Sequence, residues 1–196
     1  MTGTALKVIA GLGNPGAQYA RTRHNAGFWL VEELARRHGG RFRLEPRHQA
    51  ELARVQIGGA DIWLVKPMTY MNASGTAVGS VARFFKATPD EVLIAYDELD
   101  FPPGKVRLRQ GGGTAGHNGV LDVVTHLGES FWRLRIGIGK PTAKGAGIGR
   151  VLSRPAAEEE ELIADAVAAA ADVIPVMLDQ GAQIAMNRLH SRENSE

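Results

Sequence analysis

The chain contains no cysteine, which excludes disulfides, thiolate metal sites and a cysteine nucleophile. It also lacks apolar runs of membrane-spanning length, because charged residues interrupt each of them. The first residues, Met1-Thr2-Gly3-Thr4-Ala5-Leu6-Lys7, show no basic segment leading into an apolar stretch. A signal peptide is therefore not expected, and a cytoplasmic protein is. No Gly-x-Ser-x-Gly elbow marks a serine nucleophile. No set of His, Asp and Glu shows metal-ligand spacing; His24 has no such partner at i+3 or i+4. The expected chemistry uses neither metal nor cofactor.

What is present is an ordinary globular composition. The 196 residues are 44% hydrophobic and 22% charged, enough to bury a core in one domain. The net charge of +2 is unevenly spread. Residues 1–154 carry 21 Lys/Arg against 12 Asp/Glu, or +9, and residues 155–196 carry 2 against 9, or −7. A basic body with an acidic tail points to a phosphate-rich partner.

Apolar runs alternate with amphipathic stretches along the chain. Strands are predicted at Leu6–Ala10, Ala53–Ile57, Ile62–Val65, Val92–Tyr96, Val106–Arg109 and Leu134–Ile138. Helical spacing appears in His24–His38, Ser74–Phe85, Val120–Leu127, Ala156–Ala171 and Gln183–Leu189. Gly58-Gly59-Ala60-Asp61 separates two of the strand runs as a hairpin turn. The alternation predicts an α/β single domain, with a mixed, mostly parallel twisted sheet and helices on both faces. Pro141–Gly149 is expected to be a mobile loop within that domain.

Polar residues fall where strands end, the place where open α/β sheets bind ligands. Leu6–Ala10 leads into Gly13-Asn14-Pro15, Ile62–Val65 into Met71-Asn72, and Val92–Tyr96 into Asp97-Glu98-Leu99-Asp100. Parallel neighbours would bring Asn14, Asn72 and Asp97 to one rim, with His24 beside them. Gly111–Gly119 has five glycines in nine residues, a backbone shaped for a ligand, and puts Asn118 at the start of a helix. Asn72 and Asn118 also suit plain helix N-caps. His38, His48, His126 and His190 have no chemical neighbours in sequence and are expected at the surface. A histidine beside a carboxylate makes a general base. Asparagine amides can place a substrate and stabilise an oxyanion. Together they describe attack of activated water on an ester or amide carbonyl.

Gly11-x-Gly13-x-x-Gly16 matches the spacing of a dinucleotide fingerprint, which would indicate a nucleotide-dependent oxidoreductase. That motif needs its third glycine to open a helix and an acidic residue ending a second strand. Here Pro15 stiffens the turn, helical patterning begins only at His24, and Glu32 and Glu33 fall inside the first helix.

Long motifs instead resemble the bacterial peptidyl-tRNA hydrolase family. They are Gly11-Leu12-Gly13-Asn14-Pro15-Gly16, Thr22-Arg23-His24-Asn25-Ala26-Gly27, Thr69-Tyr70-Met71-Asn72, Asp97-Glu98-Leu99-Asp100, Gly116-His117-Asn118-Gly119 and Arg133-Leu134-Arg135-Ile136-Gly137. The resemblance runs from about Leu6 to Asn187. It implies hydrolysis of the ester between a peptide and the 3′-terminal ribose of tRNA, with His24 as base and Asp97 as its orienting carboxylate. Asn14, Asn72 and Asn118 would bind the peptide and terminal nucleotide, and Tyr19 and Met71 would line the peptide site. Arg109 and Arg135 would hold tRNA phosphate. The resemblance further implies a cytoplasmic monomer acting on the acceptor stem and 3′ end of peptidyl-tRNA, without a cofactor or a membrane. Residues from about 141 to 171 would form a lid, and Thr114-Ala115 departs from the family's usual glycine loop. A non-catalytic RNA-binding protein of the same fold is the alternative.

Overall fold

The structure is a computed structural model that describes residues 3–194; residues 1–2 and 195–196 lie outside it. Seven strands form one sheet: β1 (Val8–Gly11), β2 (Arg43–Glu45), β3 (Ala50–Ile57), β4 (Ala60–Pro67), β5 (Val92–Glu98), β6 (Val106–Gln110) and β7 (Trp132–Gly137). Their order is β2-β3-β4-β1-β5-β7-β6. The centre, β4-β1-β5-β7, is parallel, and antiparallel pairs close both edges. The mixed sheet with a parallel core agrees with the alternation in the sequence.

Strand periodicity divides the core. On β1, Ile9 faces one helical layer while Val8 and Ala10 face the other. The first layer comprises α1 (Ala26–His38), α5 (Ala157–Gln180) and α6 (Ala182–His190); the second comprises α2 (Ser74–Phe84) and α3 (Asn118–Leu127). Ile9, Leu93 and Ile94 are fully buried, each worth roughly 1.5–3 kcal/mol relative to exposure.

Glycines decide where α1 begins. A Cβ on Gly11 would sit 2.0 Å from the Gly27 carbonyl oxygen, and one on Gly27 would sit 2.3 Å from that of Ala95. Only backbone without side chains lets the first turn of α1 rest on β1 and β5. That contact sets the preceding 3-10 turn, Arg23–Asn25, beside the end of β5. In the opening motif Gly11 and Gly13 therefore make room for α1, while Gly16, at φ 111°, shapes the loop.

Three elements differ from expectation. β2 is an additional three-residue edge strand, and its Leu44 is 59% exposed, so it carries no hydrophobic signal. α4 (Gly147–Val151) replaces part of the expected mobile loop. α5 continues past Ala171 and through Pro175 to Gln180, because Val173, Ile174 and Met177 are buried against the sheet. Among the histidines, His126 is exposed and His38 and His190 are half-buried. His48 is buried rather than at the surface: its Nδ1 pairs with Ser80 Oγ at 2.7 Å, and its ring meets Phe84 edge-on.

Candidate active site

β5 is buried along its whole length and ends in two carboxylates, Asp97 and Glu98. Buried charge requires partners. Glu98 takes the guanidinium of Arg135, with Nε at 3.0 Å from Oε1. Asp97, 2% exposed, takes two histidines. His24 Nδ1 lies 2.8 and 2.9 Å from its two oxygens, and His117 Nε2 lies 2.8 Å from Oδ1.

The bonds around these rings set their tautomers. His117 Nδ1 accepts the Val120 N–H at 3.2 Å as the N-cap of α3, so its proton sits on Nε2 and is donated to Asp97. His24 donates through Nδ1, which leaves Nε2 as its basic atom. Burial pushes the Asp97 carboxyl up, but the electrostatic attraction and hydrogen bond of His117, followed by those of His24, outweigh it. The result is a pKa of about 2. Asp97 therefore stays ionised as a fixed acceptor for both rings.

Ligand atoms of His24, Asp97 and His117 lie within 4.8 Å of one another, a spacing that could hold a metal. A metal on His117 Nε2 would force that ring's proton onto Nδ1, against the Val120 N–H. The donor set is thus arranged for hydrogen bonding rather than ligation.

The asparagines differ in how they are held. Asn14, 7% exposed, is clamped by Asn25: its N–H donates to Asn25 Oδ1 at 2.9 Å, and Asn25 Nδ2 donates back to its carbonyl at 3.0 Å. Asn14 Oδ1 accepts the Met71 N–H at 2.7 Å, leaving Nδ2 as the amide's remaining donor. Asn72 and Asn118 are exposed. Neither is an N-cap: Ala73 precedes α2, and His117 caps α3. Their amides are left for another partner.

These residues open onto one cavity of ≈ 430 Å³ that includes Asn14, His24, Met71, Asn72, Asp97, His117 and Asn118. Its apolar wall is Leu99 with Ile148, Val151 and Leu152, of which Ile148 is 76% exposed. Tyr19, expected to line this space, is half-buried outside it, in a separate 3-10 turn. A second cavity of ≈ 440 Å³, between α1 and α5, has an apolar floor and an Arg21–Glu160 pair at its rim. Volume does not separate the two; convergent polar chemistry does.

The two arginines expected at phosphate also diverge. Arg109 is exposed on β6, and a Cβ on Gly112 would come within 2.9 Å of its Cζ. Arg135 donates Nε and Nη2 to Glu98 and stacks on Phe101. Sequence reasoning missed His117 and Asn25. Each stands beside a residue that was singled out, Asn118 and His24, and that adjacency was the available signal.

An open α/β sheet with a carboxylate-oriented histidine base at the carboxyl ends of its parallel strands is suited to hydrolysis by activated water. A family model described as Peptidyl-tRNA hydrolase matches residues 8–196, and the chain belongs to this family. Peptidyl-tRNA hydrolase of Halorhodospira halophila is 53% identical over 186 residues, covering 94% of this chain and 96% of its own. That of Alkalilimnicola ehrlichii is 50% identical over 189 residues, covering 95% and 96%. The crystal structure of peptidyl-tRNA hydrolase from Acinetobacter baumannii matches with a TM-score of 0.93 at 42% identity, covering 97% of both chains. A purine nucleoside phosphorylase from Toxoplasma gondii shares the fold alone, with a TM-score of 0.53 at 11% identity. Among the described residues no helix is long and apolar enough to cross a membrane.

Proposed function

We propose that this protein hydrolyses the ester joining a peptide to the 3′-terminal ribose of tRNA, releasing free peptide and tRNA and so recycling tRNA from stalled translation. The observation that carries this reading is the Asp97 carboxylate, which accepts from both His24 Nδ1 and His117 Nε2 and leaves His24 Nε2 basic at the cavity.

In the mechanism, water is held near His24 Nε2 and loses its proton to it while attacking the ester carbonyl. Asp97 keeps the ring in the Nδ1–H tautomer and stabilises the imidazolium. Asn14 Nδ2 and the amides of Asn72 and Asn118 bind the substrate and the developing oxyanion. The imidazolium then returns its proton to the departing ribose oxygen. No covalent acyl-enzyme forms. Met71, 5% exposed, packs beneath the peptide; an added Cβ on Gly119 would lie 2.5 Å from its Sδ. Arg109 offers a guanidinium to phosphate near the acceptor stem. Residues 141–156, with α4, act as a lid, while residues 157–171, expected to share that role, are part of α5 in the core layer; the protein works as a cytoplasmic monomer.

The test is incubation with peptidyl-tRNA and with free aminoacyl-tRNA. The expected result is cleavage of peptidyl-tRNA alone, lost in His24→Ala while tRNA binding is retained. Binding without cleavage by the unaltered protein would reject the hydrolase in favour of an RNA-binding role.

A further inference from the structure

The apolar wall of the cavity is fastened to the turn that carries His24, by direct bonds from Arg23 to Arg150 and Ser153 and by one carboxylate outside the cavity that both arginines share. Arg23 immediately precedes His24, and its side chain is 5% exposed. Its N–H donates to the Ser153 carbonyl at 3.0 Å, and its guanidinium donates to Ser153 Oγ at 2.5 Å and to both Glu159 oxygens at 3.4 Å. From α4, Arg150 donates to Glu159 Oε2 at 2.7 Å and to the Ile138 carbonyl, just beyond β7, at 2.9 Å. Glu159 lies in the first turn of α5, where the helix dipole favours an anion.

Glu159 is thus the shared anion of two arginines. One belongs to the catalytic turn; the other belongs to the helix that supplies Gly147, Ile148 and Val151 to the cavity. The intrinsic helix propensity of Gly-Ile-Gly-Arg-Val is poor, so tertiary contacts must hold this wall. Arg23 Nε is buried without a partner. Loss of Glu159 would therefore leave that buried head with only the Ser153 hydroxyl and the Arg150 carbonyl.

We propose that Glu159 is a positioning residue: through Arg23 and Arg150 it sets the distance between the apolar wall on α4 and the His24 base. This rests on the hydrolase reading. An apolar peptide seated against Ile148, Val151 and Leu152 feels that distance, whereas a peptide without side chains does not.

The experiment compares N-acetyl-leucyl-leucyl-tRNA with N-acetylglycyl-tRNA as substrates of the full chain. Glu159→Gln is expected to raise KM for the leucyl substrate roughly five- to tenfold, the scale of a charge-assisted hydrogen bond discounted for partial exposure. KM for the glycyl substrate and kcat for both should stay within about twofold, the scatter left by changes outside the chemistry. Arg150→Gln keeps the buried Arg23–Glu159 pair, so it tests the same link if Glu159→Gln does not fold, and it should show the same substrate-dependent split. The double variant should be no worse than the worse single one, as for residues acting through one contact. Glu161→Gln, at an exposed position on the same helix, should leave both substrates unchanged. Equal losses on both substrates, additive effects, or no change in either variant of a wild type that cleaves both would overturn the positioning role alone. A wild type that cleaves neither substrate would overturn the hydrolase reading and the positioning role with it.

Discussion

The loop after β1, the turn ahead of α2 and the first residue of α3 bring the same side chain to one cavity in opposite states. Asn14 is buried, clamped on both sides of its peptide by Asn25 and joined through Oδ1 to the Met71 N–H. Asn72 and Asn118 are exposed and cap no helix. One side of the cavity is organised by bonds within the chain; the other leaves its amides exposed. Asp97 extends the organised side, since both of its histidines are oriented by bonds formed within the chain. Fixed groups lose little freedom when the transition state forms, which makes them suited to the reacting centre. Free amides suit the variable parts of a large ligand.

The sharpest break in this comparison is Asp97→Asn. An asparagine oxygen in the place of Oδ1 can still accept from both rings, but its NH2 then faces His24 Nδ1, which lies 2.8 Å from Oδ2, and favours the tautomer in which that nitrogen accepts. If His24 changes, Nε2 is no longer basic, and kcat should fall by about 10³- to 10⁴-fold, as in other sites where the orienting carboxylate is lost. Single-turnover rates at saturating substrate check this, and a kcat within tenfold of the unaltered protein would exclude Asp97 as the orienting group.

Asn118→Ala and Asn72→Ala probe the open side. Each should lower kcat/KM by about 10²-fold if its amide meets the oxyanion, and by less if it meets the ribose or peptide. Stability should move by no more than about 0.5 kcal/mol, as for exposed positions with nothing to lose. Urea midpoints measured beside the kinetics separate the two effects.

Asn25→Ala tests the opposite prediction, because it touches no substrate. It strands the buried N–H and carbonyl of Asn14 and should cost about 1–3 kcal/mol of stability. Its activity loss should be smaller than that of Asn118→Ala, roughly tenfold through misplacement of Asn14. A stable but inactive Asn25→Ala would erase the proposed difference between the two sides.

The smallest effect is expected from pH. The two histidines hold the Asp97 carboxyl at about 2 in the folded chain, below its ordinary value of 3.8. Its contribution to stability is therefore complete above about pH 4 and is lost as pH falls toward 2. Unfolding midpoints between pH 5 and 2 should drop more steeply in the unaltered protein than in Asp97→Asn, and parallel curves would argue against the buried carboxylate.

Much of this arrangement was legible in the chain because it is local. Apolar periodicity located six strands, and Asn14, Asn72 and Asp97 each follow an apolar run that became a neighbouring parallel strand. Other features depend on distant partners and left no local trace. His117 gains its role from Asp97, twenty residues away, and His48 is buried because Ser80 and Phe84 close over it. α4 is poor in helix formers and depends on Arg150, while the pairing of Arg135 with buried Glu98 joins residues 37 positions apart.

By itself, the sequence determined the alternation of strands and helices, the uneven charge, the absence of cysteine chemistry, and the placement of Asn and Asp where strands end. These follow from periodicity and residue type, which act over a few positions. Tertiary packing settled which polar groups are clamped and which stay exposed. It also decided which ring nitrogen of His24 is basic and why Gly11 and Gly27 must lack side chains. Those outcomes depend on the close approach of segments far apart in the chain, where a hydrogen bond of 2.8 Å at Asp97 or a Cβ 2.0 Å from a carbonyl at Gly11 settles the chemistry.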